Sequence, residues 1–138
     1  MFNFKKLKEL EELYKQGEAL EPENLRGEYY VVVPWFPWLS LEIMKHRKAV
    51  DADYKGDNVI LKGTRFGHFQ LEMKNDHLLI NYDQPENSMV LRRVIDRIRR
   101  LPDGRIVGKL YYRIPGREIF LMFFEMRKKM DKESAQSA

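Results

Sequence analysis

The chain has 138 residues, of which 43% are hydrophobic and 33% charged. That balance builds one folded domain burying about two thirds of the surface its unfolded chain exposes, and excludes a disordered polypeptide. There is no cysteine, which excludes a disulfide framework, a thiolate metal site and a cysteine nucleophile, and suits a reducing, cytoplasmic setting.

The formal net charge of +4 is too small for strong steering toward nucleic acid. No segment approaches the roughly 18 apolar residues of a spanning helix, so membrane insertion is not expected, and charge at Lys5, Lys6, Lys8 and Glu9 leaves no apolar run for a signal peptide. Charge is uneven along the chain: Glu9, Glu11, Glu12, Glu18, Glu21, Glu23 and Glu28 precede a basic stretch of Arg92, Arg93, Arg97, Arg99, Arg100, Arg105, Lys109 and Arg113.

Phe4, Leu7, Leu10 and Tyr14 recur at helical spacing before Gly17, predicting an amphipathic helix over residues 4–16 with Glu11 and Lys15 paired at i,i+4. Gly27 to Val33, rich in β-branched and aromatic residues and stopped by Pro34, is a predicted strand. Trp35, Phe36 and Trp38, interrupted by Pro37 and preceded by Pro34, form an aromatic turn, followed by a short helix over 39–46. A two-residue period then carries Val50, Ala52 and Tyr54 to a hairpin turn at Lys55-Gly56-Asp57-Asn58, with Val59 to Leu61 as the returning strand. Gly67, Phe69, Leu71 and Met73 mark one face of a half-buried strand, and Asn75-Asp76 turns into Leu78, Ile80 and Tyr82.

After a cap at Pro85-Glu86-Asn87-Ser88, residues Leu91, Val94, Ile95, Ile98 and Leu101 fall on one side of a helical wheel, predicting a helix over 88–101 with arginines opposite. Ile106, Gly108, Leu110, Tyr112 and Ile114 share a strand face after Pro102-Asp103-Gly104. The last strand, Ile119 to Phe124, is apolar on both faces, as where one face looks into a core and a helix covers the other. The predicted fold is mainly β (α+β): an antiparallel β-barrel of about seven to eight strands, closed because closure removes sheet edges, with an N-terminal helix and a helix inserted before the last two strands. Residues 3–130 form the domain and 131–138 a mobile tail; oligomeric state is not legible.

Candidate chemistry is sparse. His46, His68 and His77 lack metal-ligand spacing, no cofactor fingerprint is present, and no Gly-x-Ser-x-Gly elbow appears. Asp51 and Asp53 share a strand face as paired carboxylates or as a solvated turn flank. Trp35, Phe36 and Trp38 are either a plug closing the barrel or a portal over an apolar pocket. The arginines of 88–101 are either a headgroup clamp or a face salt-bridged through Asp96.

Gly27-Glu28-Tyr29, opening the first strand after a helix, resembles the Gly-x-Trp signature of lipocalin-like (calycin) barrels with Tyr in place of Trp. Asn81 to Tyr112, with Arg92, Asp96, Arg99, Gly104 and Gly108, covers about a quarter of the chain and is similar to uncharacterised bacterial lipocalin-like proteins. In those, an Asn-capped helix with Arg and Asp precedes a Gly-containing strand. The resemblance implies an apolar-ligand barrel and supplies no catalytic residues.

The expected function is therefore binding of a small hydrophobic or amphipathic ligand, such as a fatty acid, rather than catalysis. Candidate liners are Tyr29, Val31, Phe69, Leu71, Tyr112 and Phe123, with Trp35 and Trp38 at the mouth and Arg92 or Arg99 for a headgroup. The alternatives are an enzyme using His68 with Asp51 or Asp53, and an interaction module presenting the basic helix.

Overall fold

The computed structural model describes residues 4–33, 47–60 and 63–128. Helix α1 (Phe4–Lys15) is followed by a 3-10 turn (Pro22–Leu25) and eight strands: β1 (Gly27–Val32), β2 (Arg47–Val50), β3 (Lys55–Ile60), β4 (Thr64–Lys74), β5 (His77–Asn81), β6 (Val94–Arg100), β7 (Ile106–Ile114) and β8 (Arg117–Lys128). Each strand pairs antiparallel with the next, and β8 pairs with β1, so the sheet is a closed meander barrel. An eight-stranded barrel is just wide enough for side chains to fill or for one small ligand.

The helix predicted over 88–101 is not there. Leu91–Arg93 is one 3-10 turn, and Val94–Arg100 is the central strand β6. Leu91, Val94, Ile95, Ile98 and Leu101 satisfy a helical period, but β-branched Val94, Ile95 and Ile98 suit a pleated surface equally well. Pairing with both β5 and β7 settles the competition in favour of the strand. The hairpin tip also lies earlier than predicted. Asp51 to Tyr54 make the turn, Tyr54 adopts φ 62°, and Lys55 to Asn58 belong to β3. The aromatic turn, the helix over 39–46 and the tail lie outside the described residues.

Because cross-strand partners share a face, register defines the interior. Tyr29 pairs with Lys48 and Lys48 with Asn58. Leu71 pairs with Ile80, Ile80 with Asp96, Asp96 with Leu110, and Leu110 with Met122. Tyr29, Val31, Val50, Phe69, Leu71, Leu78, Ile80, Ile98, Phe124 and Met126 form the buried core. Leu20 and Leu25, from the linker between α1 and β1, join it and seal one end. At that closed end Lys128 reaches over the Tyr29 ring and donates to the Arg26 carbonyl at 2.7 Å. Gly56 and Gly108 leave room for the Phe69 and Phe124 rings, which a Cβ at either position would meet.

The outer face of the wall has its own seam. Leu10 and Tyr14 of α1 pack with Leu101, Val107 and Phe123, which explains why β8 is apolar on both sides. The Tyr14 hydroxyl donates to the Arg97 carbonyl at 2.8 Å. Glu11 pairs with Lys109 of β7 at 2.6 Å, and Lys15 with Glu12, in place of the predicted Glu11–Lys15 pair.

Candidate functional site

Four polar side chains converge inside the barrel. Lys48 points inward from β2, Asn58 from β3 and Asp96 from β6, while Tyr82 follows directly after β5. All four are buried, Asp96 to 1% exposure. Polar groups are rarely placed this deep without mutual satisfaction.

Local backbone features aim them. Between Gly56 and Asn58 the β3–β4 register shifts, and Gly67 stands at the irregularity with φ 60°. Such a bulge bends its strand and redirects side chains. Here it turns the Gly67 carbonyl toward Asn58, whose Nδ2 donates to it at 3.1 Å. A Cβ on Gly67 would sit 2.8 Å from that same Nδ2, so the position favours glycine on both counts. Asn87 staples the loop after β5 onto β4: its Oδ1 accepts from the His68 amide at 2.9 Å, and its Nδ2 donates to the carbonyls of His68 and Tyr82 at 2.6 and 2.7 Å. Tyr82 is thereby fixed over the cluster.

Lys48 Nζ donates to Asn58 Oδ1 at 2.8 Å and to the Tyr82 hydroxyl. Asn58 Nδ2 also donates to that hydroxyl, at 3.1 Å. The ammonium lies 5.2–5.6 Å from the ring centroids of Phe69, Tyr82 and Phe124, an arrangement favourable to a desolvated cation. Asp96 is left out: its Oδ2 is 3.6 Å from Lys48 Nζ, and neither carboxylate oxygen has a hydrogen-bond partner. Burial pushes the Asp96 carboxyl up to about 6 against the opposing pull of Lys48. It also lowers the Lys48 ammonium, which Asp96 counteracts, and raises the Tyr82 phenol, which the Asp96 charge raises further.

A second polar group lies outside the wall. His68 contacts Asp57 through Nδ1, and Arg65 pairs with Asp57 at 3.0 Å. They border an open groove of about 370 Å³ shared with Asp51, Lys55, Gln84 and Glu86. The predicted partners of His68 are elsewhere engaged or free of it. Asp51 Oδ1 accepts from the amides of Asp53 and Lys55, and Asp53 stands exposed in the turn. Asp57 makes the contact expected of Asp51 or Asp53.

Of the predicted liners, Tyr29, Val31, Phe69 and Leu71 belong to the interior core. Tyr112, half-buried, pairs with Val94 on the inward-facing register. Phe123 is a correction: it faces outward beneath α1, one step from inward Phe124. Arg99 also lies outside, bonding the Tyr14 carbonyl at 3.0 Å and Asp76 at 2.6 Å, and Arg92 pairs with Asp83 at 2.7 Å. Neither reaches the interior cluster, and Asp96 is no salt-bridge partner for these arginines. Trp35 and Trp38 lie outside the described residues.

Lys48, Asn58, Tyr82 and Asp96 were not singled out as a site from sequence. Their only shared signal is a polar residue on the inward parity of a strand, which is visible once register is known. Among the described residues no three His, Asp or Glu side chains converge as a metal site, and no helix is long and apolar enough to cross a membrane. No family model matches this chain, and neither a curated protein nor a solved structure matches it.

Proposed function

We propose that the barrel binds a small amphipathic molecule, received at the end opposite the Leu20–Leu25 seal, with its polar group at Lys48, Asn58, Tyr82 and Asp96. The observation that carries this reading is Asp96, a fully buried carboxylate with neither oxygen hydrogen-bonded. A barrel evolved for packing alone gains nothing from such a group, whereas a site for a polar ligand atom needs unmet hydrogen-bonding capacity. Apolar side chains exposed in the loop at that end, Met89 and Val90, suit a ligand with a greasy body.

The closed meander and Gly27-Glu28-Tyr29 at the start of β1 support the lipocalin-like resemblance, and the absence of cysteine supports work in a reducing cytoplasm. The interaction-module alternative loses its basic helix, because residues 94–100 are a strand. Native mass spectrometry of the purified protein, with tryptophan fluorescence during titration of eight-carbon amphiphiles, tests the binding reading. A bound amphiphile mass or a saturable fluorescence change is expected; the absence of both refutes it.

A further inference from the structure

Within that binding reading, we infer that the ligand's polar group is an uncharged hydrogen-bond donor, a hydroxyl or amide N–H, seated on the Asp96 carboxylate, and that an ionised carboxylate headgroup is rejected. Two independent features of the cluster lead there, its charge balance and its hydrogen-bond inventory.

The buried charges already cancel: one ammonium, Lys48, faces one carboxylate, Asp96, across 3.6 Å. An anionic guest would leave two negative charges against one positive in a desolvated space, and a cationic guest would leave two positive against one. Either excess carries a large burial penalty. A neutral guest disturbs nothing.

The inventory gives the sign of the missing group. Asn58 uses its Oδ1 on Lys48 and its Nδ2 on Gly67 and Tyr82. The Tyr82 oxygen accepts from both Lys48 and Asn58, which fills its two acceptor sites. Two protein donors are still unspent, the third Lys48 proton, 3.6 Å from Asp96 Oδ2, and the Tyr82 hydroxyl proton, and both act on Asp96. A carboxylate has about four acceptor sites, so the surplus left in the cluster is acceptor capacity on Asp96, neither of whose oxygens has a partner within hydrogen-bond distance. The side chains beside Asp96 on the neighbouring strands are Ile80 and Leu110, which offer no donor. The titratable groups acting on Asp96 are Lys48 from across the barrel and Tyr82 from the loop. A guest hydroxyl or amide supplies a further donor to that surplus, and hydrogen bonds to a charged acceptor are the stronger kind.

Four eight-carbon probes separate this from the broader reading: 1-octanol, octanamide, octanoate and octylamine, titrated calorimetrically into the wild-type protein at pH 8 and pH 5. Octanol and octanamide should bind at least tenfold more tightly than octanoate or octylamine at pH 8. Octanoate should gain at pH 5 with proton uptake, visible as a buffer-dependent heat. Asp96→Asn should bring octanoate to within a few fold of octanol by leaving Lys48 without its counter-charge. If that variant does not fold, the wild-type ranking decides alone. Octanoate equal to or tighter than octanol at pH 8 overturns the headgroup inference and leaves small-molecule binding standing, whereas failure of all four probes to bind overturns both.

Discussion

The two faces of this barrel wall carry nearly the same chemistry in different states of completion. Outside, Lys109 sits near the rings of Tyr14, Phe120 and Phe123 and closes on Glu11 at 2.6 Å. Inside, Lys48 sits near the rings of Phe69, Tyr82 and Phe124 and stands 3.6 Å from Asp96. The outer tyrosine gives its proton to a backbone carbonyl, and the outer carboxylate keeps a third of its side-chain surface in water. The inner carboxylate has neither recourse. The outer cluster docks a helix and its groups are spoken for; the inner one keeps acceptor capacity that nothing in the described protein uses. The two clusters are thus distinguished by satisfaction of polar groups and not by residue type.

The sharpest way to break the comparison is to remove one inner charge. Lys48→Met or Asp96→Leu alone should cost about 3–5 kcal/mol in urea denaturation, because each leaves a buried partner uncompensated, while the double substitution should return to within about 1 kcal/mol of wild type or exceed it. Additive losses in the double variant would mean that the two side chains act separately.

Acid titration gives the next largest effect, with an unusual sign. The folded Asp96 carboxyl titrates at about 6 against an ordinary 3.8, so the folded state holds the proton more tightly than the unfolded one. This contribution is full below the ordinary value and is lost as pH rises through about 6. Relative to Asp96→Asn, wild type should gain up to about 3 kcal/mol of stability between pH 7 and pH 4. A stability difference that does not vary with pH would show that Asp96 is not the titrating group.

The same contrast explains what could be read from sequence. The outer seam was legible: Leu7, Leu10 and Tyr14 keep a helical period, and two-sided apolarity of Ile119 to Phe124 announced a helix on one face. So was the meander from residue 64 to 82, whose inward positions are apolar without exception from Phe69 to Ile80. The failure came at the site. An inward Asp96 between inward Val94 and Ile98 breaks the two-residue alternation that marks a strand, leaving the chance helical spacing of Leu91, Val94, Ile95, Ile98 and Leu101 as the stronger pattern. Lys48 and Asn58 blurred the bounds of β2 and β3 in the same way, and the hairpin turn is read at Lys55-Gly56-Asp57-Asn58 because Gly, Asp and Asn usually turn, whereas those residues open β3. The polar residues that make the interior unusual are the ones that erased its pattern.

The smallest expected effect tests the completed side of the comparison. Glu11→Gln breaks the charge of the Lys109 pair but leaves an amide oxygen for the ammonium and leaves the Leu10, Tyr14 and Phe123 packing intact. Partly exposed pairs contribute little because water recovers what each partner loses. The loss should be below about 1 kcal/mol and should shrink further in 1 M salt. A loss as large as that for Lys48→Met would mean that the helix depends on this ion pair and not on its apolar face, and the distinction between a satisfied outer cluster and an unsatisfied inner one would no longer hold.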